Sequence, residues 1–161
     1  MSEAESAPMA ILRDDRDLLW LALSMVERTD SELVFDVHML ARDEPDEAPV
    51  PFMTACGYRE PLAGIRSLLD DLGGAVSGEV TALRHDPISD GLSIELKAQG
   101  SPELGYEVVL WLDLTRMGRA MRARASRGRH QSGMRFFCGR AALENFRADL
   151  ASFVAGPQAY Q

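Results

Sequence analysis

The 161-residue sequence predicts an α+β fold, in which an antiparallel β-sheet carries two helices packed on one face. Three observations predict this class. Apolar and polar residues alternate over several short segments, which is the period of half-buried strands. The connections between neighbouring segments are too short for the crossovers that parallel strands need. Two further segments place apolar residues at helical spacing, and helices beside an antiparallel sheet define the α+β class.

The first two predicted strands are residues 17–28, DLLWLALSMVER, and residues 32–42, ELVFDVHMLAR. In the second segment apolar residues alternate with Asp36 and His38, and the polar TDS between the segments predicts a turn. The first segment is apolar on both faces, so a helix remains an alternative there. The acidic, proline-rich residues 43–51 then predict a connection without regular structure.

A first helix is predicted after this connection, because three features of the sequence agree. Pro61 suits the first helical turn, and the pair Gly73-Gly74 predicts the end of the helix. Between them, an apolar stripe at helical spacing consists of Leu62, Ile65, Leu69 and Leu72.

The second half of the chain predicts four more strands and a final helix. The strands are expected at residues 78–85, 90–100 and 105–115 and in GMRFFCG, residues 133–139. In the closing helix, which ends at Gly156-Pro157, the predicted buried residues are Leu143, Phe146, Leu150 and Phe153. No internal repeat is visible in the sequence.

The length predicts a single α+β domain over residues 11–156, with a disordered tail at 1–10 and a C-terminal tail at 157–161. The acidic start lacks the features of a signal peptide, and no apolar run is long enough to cross a membrane. The two cysteines, Cys56 and Cys138, lack paired spacing and indicate reduced thiols. These observations predict a cytoplasmic protein without a membrane partner.

Charge is unevenly distributed along the chain, whose formal net charge is −8. Residues 1–115 contain 8 basic and 23 acidic side chains, whereas residues 116–161 contain 9 basic and 2 acidic ones. Eight arginines and no carboxylate lie within residues 116–140, which we call the arginine segment. Such asymmetry bears on the choice of partners rather than on the fold.

Two interpretations of the arginine segment remain open. The first is nucleic-acid binding, with arginines neutralising phosphates. The second is charge complementarity with the acidic part of the chain, within one molecule or across a homodimer. We favour the second, because the excess of carboxylates repels a polyanion. The candidate binding residues are Asp43, Glu44, Asp46, Glu47, Arg122, Arg124, Arg127 and Arg129.

Residues with the potential for catalysis or metal binding are few. Cys138 stands between Arg135 and Arg140, and basic neighbours lower the pKa of a thiol, so a reactive cysteine is one interpretation. The alternative, which we favour, is a small buried residue at the end of a strand. The histidines are His38, His85 and His130, and they lack metal-ligand spacing. The sequence therefore predicts no metal and no cofactor.

Three stretches resemble the WapI-type family of bacterial immunity proteins and its uncharacterised relatives. They are YREPLAGIRSLLDDLGG (58–74), ISDGLSIELKAQG (88–100) and MRFFCGRAALENFRADLASFV (134–154). The arginine segment is not part of the family pattern beyond its last residues. The resemblance implies a non-enzymatic cytosolic protein that binds and blocks a cognate toxin.

Two functional hypotheses follow. The first is a non-enzymatic cytosolic binding protein, an immunity or accessory protein that neutralises a basic partner through an acidic surface. The alternative is a small enzyme or ligand-binding domain whose pocket is assembled by the fold from Cys138, His130 and the arginines. The first hypothesis expects a protein partner or self-association.

Overall fold

The computed structural model describes residues 8–86, 92–113 and 131–156. Their elements occur in the order strand, strand, strand, strand, helix, and this order occurs twice. The first series is β1 (Met9–Arg13), β2 (Leu19–Arg28), β3 (Glu32–Ala41), β4 (Val50–Pro61) and α1 (Leu62–Ser77). The second is β5 (Ala82–His85), β6 (Leu92–Gln99), β7 (Ser101–Asp113), β8 (Gln131–Cys138) and α2 (Arg140–Ala155).

The strands form two antiparallel sheets of four strands each. Sheet A has the order β1-β2-β3-β4 and sheet B the order β5-β6-β7-β8, so within each sheet the strands pair in the order of the sequence. The predicted α+β class with antiparallel strands and two helices is confirmed. The strands are divided between two sheets rather than placed in one, and the topological repeat has no counterpart in the sequence.

One continuous apolar core joins the two sheets and the two helices. The helices contact each other, and each of them also contacts both sheets. Strand alternation supplies the inner faces, as in β7, where Tyr106, Val108 and Leu110 are fully buried. From α2, the predicted residues Leu143, Phe146, Leu150 and Phe153 are all buried.

Helix α1 does not end at Gly73-Gly74 but continues to Ser77 and is followed by Gly78 in a left-handed conformation. Close packing explains Gly74, because a Cβ there would lie 2.7 Å from Val80 Cγ2. Leu68 takes the buried position expected for Leu69, which is only partly buried. In the part of the chain that the structure describes, no helix has the length and apolar character to cross a membrane.

Two strands, β1 and β4, were not expected from the sequence. The predicted disordered tail at 1–10 overlaps β1, since Met9 and Ala10 pair with β2 and Ala10 is fully buried. Strand β4 begins at Val50, inside the predicted connection, and pairs with β3 at the edge of sheet A. Residues 1–7 and the predicted C-terminal tail at 157–161 lie outside the described residues.

Candidate functional site

The edge strand β4 contains a β-bulge that projects a large apolar side chain into solvent. Leu40 of β3 pairs with Pro51 and Met39 pairs with Met53, so Phe52 is an extra residue in β4. Phe52 is 51% exposed and its neighbour Val50 is 64% exposed. Bulges are frequent at sheet edges and beside functional sites, where they change the direction of a side chain. An apolar pair on an edge strand therefore faces solvent here.

A second group of side chains, the Trp20 clamp, lies on the same sheet and consists of Arg13, Asp17, Trp20 and Arg42. The guanidinium carbons of Arg13 and Arg42 lie 4.5 and 5.0 Å from the Trp20 ring centroid. Trp20 Nε1 donates to Asp17 Oδ1 at 2.7 Å, and Arg42 Nη2 donates to Asp17 Oδ2 at 2.6 Å. Cation–π contacts and hydrogen bonds therefore fix the position of the ring.

Asp17 has an unusual backbone conformation for a residue with a side chain. Its φ of 57° is the only positive value at a non-glycine residue in the described part of the chain. Asp tolerates this left-handed region better than most residues do. The preceding turn is also held by Asp14, whose Oδ1 accepts the amides of Leu18 and Leu19 at 2.6 and 3.2 Å. The β1–β2 turn is thus fixed by two carboxylates.

The four acidic candidate residues lie together on one exposed turn between β3 and β4. The amide of Glu47 donates to the carbonyl of Glu44 at 3.1 Å and closes this turn. Arg42 Nη1 donates to the carbonyl of Glu47, also at 3.1 Å. We call residues 43–47 the acidic turn, and its exposed carboxylates belong to Asp43, Glu44, Asp46 and Glu47.

These groups lie at the same end of sheet A. Trp20 pairs with Leu40 across β2 and β3, and Leu40 pairs with Pro51 across β3 and β4. The acidic turn joins the ends of the same two strands, β3 and β4. We call this area the docking surface; its residues are Trp20, Leu40, Val50, Phe52 and the acidic turn.

The structure describes only two of the eight arginines in the arginine segment. Arg135 Nε lies 2.9 Å from Glu107 Oε1, so this arginine faces a carboxylate from residues 1–115, as predicted. Arg140 instead donates through Nε at 2.8 Å and through Nη2 to the carbonyl of Val76. The remaining candidate residues are outside the described part of the chain; they are Arg122, Arg124, Arg127, Arg129 and His130.

Cys138, the candidate nucleophile of the alternative hypothesis, is fully buried in the core. Burial, the largest cause, and the nearby Asp15 and Asp14 carboxylates together raise the pKa of its thiol to about 12. The neighbouring arginines do not offset this effect, because Arg135 binds Glu107 and Arg140 binds a helix carbonyl. The thiolate is the reactive form, so Cys138 is a poor nucleophile, and the interpretation as a small buried residue is supported.

Sheet B has a shallow groove of about 440 Å³ over strands β5 to β7. Three of its four charged residues are paired, Arg84 with Glu95 through a 2.7 Å contact between Nη1 and Oε1, and Glu107 with Arg135. The fourth, Lys97, has no ion pair among the described residues. Buried His85 on β5 contacts Asp71 of α1 through Nδ1 at 3.0 Å, outside the groove lining. Among the described residues, no group of three or more side chains could hold a metal ion. The groove therefore lacks converging catalytic groups.

A scan against protein-family models, a search of curated proteins and a search of solved structures each found no match. The resemblance to WapI-type immunity proteins therefore remains a prediction. The site is defined by its own geometry alone.

The sequence predicted the acidic turn but not the rest of the docking surface. Trp20 lies in a segment that is apolar on both faces, so its place on the outer face was not apparent. Phe52 follows Pro49 and Pro51, which indicated an irregular connection. Proline is tolerated in edge strands, so a strand could have been predicted across Pro51. Phe52 would then have been a candidate for an exposed residue of that strand.

Proposed function

We propose that this chain is a non-enzymatic binding module that engages a basic protein through the docking surface. The observation that carries the proposal is the exposure of Val50 and Phe52 at the start of β4, which follows the four exposed carboxylates of the acidic turn. Contiguous exposed apolar residues with a polar rim are typical of protein–protein contact sites. Aromatic residues are enriched in such sites, so Phe52 is the natural anchor.

Charge complementarity supports a basic partner. The acidic turn contributes four of the 23 acidic side chains in residues 1–115, a part of the chain that has only 8 basic ones. Opposite charges steer association and raise its rate, and this effect weakens as salt increases. A basic toxin blocked by an immunity protein is a partner of this kind, and we include that role in the proposal.

The edge of sheet A argues for binding through side chains rather than through addition of a strand. Pro51 has no amide to donate at the edge, and β4 carries a second bulge at Gly57, whose amide donates to Asp36 Oδ1 at 2.8 Å. Prolines and bulges at an edge strand disfavour pairing with another strand. The partner therefore contacts the exposed side chains of the docking surface.

The test uses the basic proteins encoded by the genes that immediately flank this one, each purified and titrated against the wild-type chain. We expect at least one of them to bind, and we expect Phe52→Ser to raise its Kd at least tenfold. Leu104→Ser is the matched control, because Leu104 is 69% exposed but belongs to sheet B. Thermal unfolding confirms that both variants remain folded.

Charge is tested separately by the change Asp43→Asn/Glu44→Gln/Asp46→Asn/Glu47→Gln. We expect a lower association rate at about 50 mM salt and a smaller difference from wild type at about 200 mM. Equal binding by wild type and Phe52→Ser, or no binding by any flanking gene product, would refute the proposal.

A further inference from the structure

One arginine connects Trp20 to the acidic turn. The side chain of Arg42 is only 10% exposed. Besides Glu47 and the Trp20 ring, it binds Asp17 twice, through Nε to the carbonyl at 2.8 Å and through Nη2 to the carboxylate. The Arg42 amide also donates to the carbonyl of Leu18 at 3.0 Å. A single guanidinium thus joins the β1–β2 turn, the aromatic ring and the acidic turn.

We infer that Arg42 is a positioning residue, which holds the Trp20 ring and the acidic turn in the arrangement that the partner recognises. The inference rests on the proposed function and adds the residue that pre-organises its surface. The acidic turn is exposed and is closed by a single turn hydrogen bond, between Glu47 and Glu44. Fixing such a segment before binding removes part of the entropic cost of association.

The planar guanidinium is essential to this role because its contacts diverge. Nε, Nη1 and Nη2 each donate to a different oxygen, two on Asp17 and one on Glu47. A lysine carries the same charge, but its compact ammonium does not reproduce this fork. Arg42→Lys therefore separates geometry from charge, and Arg42→Ala removes both.

The experiment measures backbone order and affinity in the same set of full-length variants. We expect the ¹⁵N order parameters of Asp46 and Glu47 to fall from about 0.85 in wild type to below about 0.6 in Arg42→Ala and Arg42→Lys. We expect both variants to bind the flanking-gene partner at least tenfold more weakly. The matched control is Arg66→Ala, because Arg66 is exposed on α1 and has no ion pair or hydrogen bond within the described structure.

The outcomes distinguish this inference from the proposed function. If the acidic turn stays ordered in Arg42→Ala, or loosens without loss of affinity, the inference is wrong although Phe52→Ser still weakens binding. If Arg42→Lys keeps full order and affinity, charge alone is sufficient and the positioning role is wrong. If Phe52→Ser binds like wild type, the docking surface itself is wrong.

Discussion

The two cysteines occupy contrasting environments. Cys56 is exposed on β4, whereas Cys138 is buried at the end of β8. The turn that contains Asp14 and Asp15 lies over this end of β8, where the Asp15 amide donates to the carbonyl of Phe137 at 2.8 Å. Its carboxylates add to the effect of burial and disfavour the thiolate. Cys138 is consequently a neutral part of the core.

This environment predicts a specific loss of stability in alkali. The pKa of the Cys138 thiol is raised from 9.0 to about 12 in the folded chain, so the unfolded chain releases the proton first. The contribution of the neutral thiol is complete below about pH 9 and is lost as pH rises to about 12. The difference corresponds to about 4 kcal/mol. We expect Cys138→Ala to show a shallower decline in the free energy of unfolding between these pH values.

Urea titrations across this pH range measure the effect, with Cys56→Ser as the control. A disulfide-exchange reagent at about pH 8 gives a second readout: one thiol reacts rapidly in wild type and none in Cys56→Ser. A rapid reaction of Cys138, or parallel pH profiles for wild type and Cys138→Ala, would contradict the prediction.

At the scale of elements, arginines bind the C-terminal ends of both helices. Arg140, at the start of α2, binds the carbonyl of Val76 near the end of α1. Arg28, at the end of β2, donates through Nε and Nη2 to the carbonyl of Val154 near the end of α2, at 3.0 and 2.6 Å. The last carbonyls of a helix lack partners within it and carry partial negative charge. Each arginine therefore satisfies a carbonyl and opposes the helix dipole.

We expect Arg28→Ala and Arg140→Ala each to lower the free energy of unfolding by about 1.5–3 kcal/mol, the range for hydrogen bonds to charged groups. Arg→Lys at either position should recover only part of the loss, because lysine lacks the paired donors. Urea unfolding measures both effects, with Arg66→Ala as the exposed control. A loss no larger than that of the control would show that these contacts do not stabilise the helices.

The predictability of each element depended on how regular its pattern is. Strands β2, β3, β5, β6, β7 and β8 and both helices were predicted. The period is regular in β3, β6, β7 and the helices, whereas β2 is apolar on both faces and also allowed a helix. Strand β4 was not predicted, because bulges at Phe52 and Gly57 each insert a residue and move the alternation to the other face. The first of these insertions also places Phe52 in solvent. The bulge at Phe52 therefore made both the strand and this exposed residue difficult to predict from the sequence.

At the scale of the whole molecule, the division into two sheets could not be predicted from local patterns. Each strand shows which of its faces is buried, but not where a sheet ends. The division falls at α1, which separates β4 from β5 in the chain. Tyr58 of β4 connects the halves, since its hydroxyl accepts the amide of Leu92 in β6 at 2.6 Å. Such long-range contacts determine the architecture, but they produce no periodic pattern in the sequence.

The charge asymmetry is also a property of the whole molecule. The two described arginines of the arginine segment, Arg135 and Arg140, are both engaged, one by Glu107 and the other by a helix carbonyl. The Trp20 ring is likewise occupied by Arg13 and Arg42 rather than free to stack on a base. Residues 1–115 carry a large excess of carboxylates, which repel a polyanion. These features agree with the basic protein partner that we propose.

We therefore expect the full-length protein not to bind duplex or single-stranded DNA or RNA with sub-micromolar Kd, at about 50 mM or about 200 mM salt. Fluorescence anisotropy with labelled oligonucleotides measures this directly. Arg122→Ala/Arg124→Ala is the informative variant, because both arginines belong to the segment that a phosphate backbone would contact. Tight binding at the lower salt that is lost at the higher salt, and lost in this variant, would identify the arginine segment as a nucleic-acid site and refute our interpretation. If neither wild type nor the variant binds the oligonucleotides, the result agrees with arginines that pair with carboxylates of this chain or of a second copy. In that case the excess negative charge of residues 1–115 remains available to a basic protein.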